Sequence, residues 1–108
     1  MSIQLRNMEA RLEKIKRELR SLGPMRPGSI TRQYRRPKER KYPFYQISYT
    51  HHMQSHSEYV RPENLATLRK ETANFKRFRK IVNLWIDLSL VASQLRTCQT
   101  RPKYPKNP

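Results

Sequence analysis

YPFYQISYT, residues 42–50, decides the fold. Side chains alternate along a strand, so Tyr45, Ile47 and Tyr49 fall on one face and Phe44, Gln46, Ser48 and Thr50 on the other. One face is apolar and aromatic, and the other is mostly hydroxyl and amide. That pattern predicts a half-buried β-strand rather than a helix. Working outward, Ser29–Tyr34 reads as a shorter strand after the turn signal Pro27–Gly28, and Ser57–Val60 as a returning one. A tight turn at Met53 and Gln54 would set Ile47 opposite Val60, Tyr49 opposite Glu58 and His51 opposite His56. No Gly or Asn stands there to supply positive φ.

The flanks read as helix. In SIQLRNMEARLEKIKRELRSL, Leu5, Met8, Leu12, Ile15, Leu19 and Leu22 recur at steps of three and four, the spacing of a heptad seam. Gly23 and Pro24 follow as stop signals. About 20 residues at 1.5 Å each make a rod of about 30 Å. Downstream, Pro62 and Glu63 open a second helix that continues to about Arg96. Leu65, Leu68, Phe75, Phe78, Val82 and Trp85 lie near one stripe, and Ile81, Leu84, Leu88, Val91 and Leu95 form a second beside it. A face this wide needs a cover, and the first helix packed antiparallel supplies one. The expected architecture is α+β: N-terminal helix, small antiparallel sheet, long C-terminal helix. It forms one domain over residues 1–97, with a flexible, basic, Pro-rich tail over 98–108.

Charge narrows the functional classes. The 108 residues carry 24 Lys and Arg against 8 Asp and Glu, a net charge of +16. A compact chain this charged repels itself, and a polyanion relieves the repulsion. Nucleic acid is the common cellular polyanion, and Lys and Arg displacing its counterions give most of the affinity. No long apolar run, signal peptide or lipidation motif points to a membrane. The single cysteine, Cys98, fits a reducing cytoplasm.

Two basic clusters are candidates for phosphate. The first is the loop from Arg32 through Arg35, Arg36, Lys38, Arg40 and Lys41, with Glu39 its one acid. Arginine grips phosphate through two parallel hydrogen bonds and lysine acts as a point charge. The second is the helical set Arg69, Lys70, Lys76, Arg77, Arg79 and Lys80. The bland alternative for both is a solvated surface. Tyr42 and Phe44 join the candidate site as base stackers, with Tyr59 on the same side as Phe44. Tyr45, Tyr49, Phe75, Phe78 and Trp85 suit a core better. For contact with a partner or a second copy, the helical seams nominate Leu5, Leu12, Leu19, Leu84, Leu88 and Val91.

Catalysis and metal binding find little to stand on. Asp87 is the only aspartate, and it sits in the apolar helix. There is no paired-carboxylate cluster, glycine-rich phosphate loop or Ser/His/Asp spacing. His51, His52 and His56 would need a third or fourth ligand from Glu58 or the distant Cys98. The chain therefore reads as a non-enzyme with no metal and no cofactor. RNA is slightly favoured over DNA, because loop arginines and exposed aromatics suit unpaired bases.

Four blocks in order carry a resemblance: PGSITRQY (27–34), YPFYQISYT (42–50), SEYVRPENL (57–65) and ANFKRFRKIVNLWIDLSL (73–90). Together they resemble a small uncharacterised prokaryotic family of short proteins reading PGS, QY, YYxLSYT and NYRRFRxLVxxWxxLS. The resemblance covers residues 27 to about 95. It implies an association with mobile elements or defence, and it implies no activity. Relatives carry cysteines between the QY and YY blocks, where this chain reads RRPKERKYP, so a metal-braced turn does not transfer. The expected role is a nucleic-acid-binding accessory subunit of a larger nucleoprotein complex. The alternative is a protein-interaction module that dimerises or docks through its helices.

Overall fold

A computed structural model describes residues 3–99. Helix α1 spans Ile3–Arg20, strands β1, β2 and β3 span Ser29–Arg36, Lys41–His51 and Gln54–Val60, and helix α2 spans Leu65–Gln99 after a 3-10 turn at Pro62–Asn64. The strands form one antiparallel sheet in the order β1-β2-β3. The fold is α+β, with α2 packed on α1. The described chain divides into two compact units. One is Leu22–Phe78; the other joins α1 to the part of α2 beginning at Arg79. The expected tail lies, from residue 100 onward, outside the described residues; Cys98 and Gln99 close α2.

In the first unit the alternation of β2 sets the two faces. Ile47 is 1% exposed and sits opposite Ile30, and Val60 is equally enclosed. Arg32, Tyr34, Tyr45, Tyr49, His56 and Glu58 share this inner face. The first turns of α2 cover it, with the Arg69 guanidinium 5.4 Å from the Tyr45 ring centre. Thr72 is buried and donates its hydroxyl to the Arg69 carbonyl at 3.1 Å, so its polar atom is satisfied within the helix. The segment before β1 is pinned to the same helix. Arg26 N–H donates to the Glu71 carbonyl at 3.1 Å, and Asn74 Nδ2 donates to the Pro24 carbonyl at 2.9 Å. The Arg26 side chain pairs with Glu58 and lies over Tyr49.

The hairpin register departs from the expected one by two residues. Ile47 faces Glu58, Tyr49 faces His56 and His51 faces Gln54. The turn is centred on His52 and Met53, which take φ of 51° and 63°. That is the doubly left-handed two-residue turn that suits the twist of paired strands, here built without Gly or Asn. A slip of two preserves side-chain parity, so the faces stand as read. The expected His51–His56 pairing does not form; His56 stacks on Tyr49 with ring centres 5.0 Å apart.

In the second unit Leu5 and Ile15 of α1, and Ile81, Leu88 and Ala92 of α2, are buried. Leu12, Leu19 and Trp85 are half-buried, and Lys16 Nζ lies 5.8 Å from the Trp85 ring centre. The α1 seam is therefore internal packing. The helix ends at Arg20 rather than Leu22, because Ser21 closes it: its N–H and its hydroxyl both reach the Glu18 carbonyl.

Candidate nucleic-acid interface

The first basic cluster is a hairpin tip rather than a ten-residue loop. β1 continues to Arg36, which pairs with Lys41, so only Pro37–Arg40 turn outside the ladder. Glu39 N–H donates to the Arg36 carbonyl and Arg40 N–H to that of Pro37, each at 3.2 Å. Arg40 closes the turn at φ 52° and Tyr42 follows at φ 59°. Pro43 cannot donate to a ladder. It stands beyond Tyr45, the last β2 residue opposite β3, where β2 has a neighbour on one side only.

Strand alternation then divides the arginines. Arg32 lies on the inner face with its guanidinium 5.4 Å from the Tyr34 ring centre. Arg35 projects from the outer face, 5.5 Å from the Phe44 ring centre, and Arg36 lies 5.6 Å from that of Tyr42. Lys38, Arg40 and Lys41 are exposed at the tip. Glu39 reaches both Arg36, at 3.7 Å, and Lys41, at 4.0 Å. Arg35, Arg36, Lys38, Arg40, Lys41, Tyr42 and Phe44 thus gather at one end of the sheet, while Arg32 turns to its other side.

The second basic cluster is likewise divided. Arg69 lies over Tyr45, so it belongs to the inner side of the sheet. Lys70, Lys76 and Arg77 are exposed on the turns of α2 in the same unit, and Arg79 and Lys80 are exposed in the share of α2 that belongs to the other unit.

The outer face carries Thr31, Gln33, Phe44, Gln46, Ser48, Thr50, Ser55, Ser57 and Tyr59 around Arg35. Its hydroxyls pair across the strands, Ser48 with Ser57 at 3.3 Å and Thr50 with Ser55 at 3.4 Å. Tyr59 is 57% exposed and Phe44 half-buried. The sequence placed these two rings together on the solvated side, and the register adds that they are diagonal neighbours. Phe75 and Phe78 pack on each other, ring centres 6.2 Å apart.

The six residues nominated for partner contact separate by burial. Leu5 and Leu88 are core, Leu12 and Leu19 are half-buried, and only Leu84 and Val91 are exposed, together with Ile86 and Leu90. Among the described residues no three His, Cys, Asp or Glu side chains gather at a spacing that could hold a metal ion, and no helix is long and apolar enough to cross a membrane. Comparison with protein-family models, with curated proteins and with solved structures finds no match to this chain.

Proposed function

We propose that this protein binds nucleic acid through phosphate contacts, without catalysis, as an accessory subunit of a larger nucleoprotein complex in the cytoplasm. One observation carries the reading. Arg35, Arg36, Lys38, Arg40 and Lys41 converge on a single hairpin end with Glu39 as the only acid among them. Such a cluster repels itself, and a phosphate backbone stabilises it by releasing counterions. The exposed thiol of Cys98 supports a reducing compartment.

Salt dependence tests this reading. Wild-type protein should bind a labelled oligonucleotide with affinity that falls steeply as salt rises. The Arg36→Gln/Lys38→Gln/Arg40→Gln variant should flatten the slope of log K against log salt by about 2 to 3, at roughly 0.7 to 0.9 for each phosphate it no longer neutralises. An unchanged slope would sink the hairpin as the contact surface.

A second reading rests on Leu84, Ile86, Leu90 and Val91. These exposed apolar side chains on α2 give a helix that α1 covers only in part. A helix apolar on so many sides normally has a further neighbour, so the same chain docks on a protein partner or a second copy.

A further inference from the structure

The outer face of the sheet has features that phosphate binding alone does not use. Phe44 faces Gln33 on β1, and Tyr59 faces Gln46, two residues along β2 from Phe44. The two rings therefore sit on one face at a diagonal, about 7–8 Å apart along the backbone. Arg35 lies on the opposite side of Phe44 from Tyr59, with its guanidinium 5.5 Å from the ring centre. A cation, a ring and a second ring thus run across three strands. Amides from Gln33 and Gln46 stand between them.

We propose, building on the nucleic-acid reading above, that this face binds a single strand of nucleic acid by stacking unpaired bases on Phe44 and Tyr59. Several observations select that occupant. The rings are presented to solvent on a sheet face whose other members are Ser, Thr and Gln. Such a face lacks the apolar centre that a protein interface needs. It suits bases, which offer a flat π-surface for a ring and polar edges for amides and hydroxyls. In a duplex those π-surfaces are covered by neighbouring base pairs, so a ring fixed on a sheet meets only an unpaired base. Arg35 stands where the strand's phosphates would pass from the face to the basic hairpin end, which makes one track of stacking and charge.

The test measures binding of oligo-U, oligo-dT and a duplex of about 12 nucleotides to wild type, Tyr59→Leu, Tyr59→Phe and Phe44→Leu/Tyr59→Leu. Circular dichroism checks that each variant folds. Leucine keeps apolar bulk and removes the ring. Each ring removed should weaken single-strand binding by about 5- to 150-fold, leave the salt slope and duplex affinity unchanged, and be rescued in Tyr59→Phe. Tyr59 is exposed enough that its single variant stays readable if Phe44→Leu perturbs the fold. The two single-stranded arms separate RNA from DNA. Unchanged single-strand affinity in both leucine variants, or an equal loss on duplex, overturns the stacking face and leaves the phosphate reading standing. No retention of any oligonucleotide by wild type at low salt overturns both.

Discussion

Gly28 holds φ of 147°, a region that side-chain-bearing residues rarely adopt, and a Cβ there would stand 2.8 Å from Ile47 Cγ1. Ile47 is the most enclosed residue of the sheet, so neither neighbour can yield easily. Gly28→Ala should destabilise by about 1–3 kcal/mol, read as a lower urea midpoint for the cooperative transition. Gly23 provides the contrast. Its nearest neighbour is Asn74 Nδ2 at 3.5 Å and its backbone is ordinary. Gly23→Ala should leave the midpoint within a few tenths of a kcal/mol of wild type or raise it, since alanine has less freedom to lose on folding. Equal losses at both positions would show that φ and the Ile47 contact are not what distinguishes them.

At the scale of elements the β2–β3 turn stands out. His52 and Met53 both occupy the left-handed region, which costs ordinary residues about 1–2 kcal/mol each. The His52→Asn/Met53→Gly variant supplies residues that adopt it readily. It should raise the thermal midpoint by several degrees, corresponding to about 1 kcal/mol in a domain this size; a fall would show that His52 or Met53 makes contacts worth more than the strain. The same turn explains what the sequence concealed. The alternation of Tyr45, Ile47 and Tyr49 was enough to place β2 and sort its faces. The register depends on which two residues turn left-handed, and a His-Met pair sends no such signal. The candidate site was legible in composition and not in arrangement. Basic residues 32–41 read as one loop, because arginine is neutral in the strand pattern. The ladder bond between Arg36 and Lys41 then turned a contiguous charge run into two faces and a tip. The α1 seam was likewise legible as packing, but spacing alone does not tell a buried leucine such as Leu88 from an exposed one such as Leu84.

For the whole molecule, that difference decides which variants can test association. Substituting Leu12 or Leu88 with a charge disturbs the packing of α1 on α2, so loss of a complex would be confounded with loss of fold. Leu84→Lys/Val91→Lys changes exposed positions, and should shift stability by no more than about 0.5 kcal/mol per site. If the second reading holds, the variant should lower the mass seen by light scattering or release a co-purifying protein at unchanged melting temperature. Unchanged mass and unchanged co-purification would dismiss this stripe as a contact surface. The net charge of +16 works against a second copy, so an acidic partner is the favoured outcome.

Glu39 has one more implication. Its carboxylate already sits between Arg36 and Lys41, where the proposed complex would place a phosphate. The tip is therefore not an empty receptor: it carries its own tethered understudy, and an incoming strand would exchange with that carboxylate instead of filling a vacancy. Such a swap moderates grip while keeping the basic residues in formation between ligands, which suits a surface that must let go of one strand before taking another.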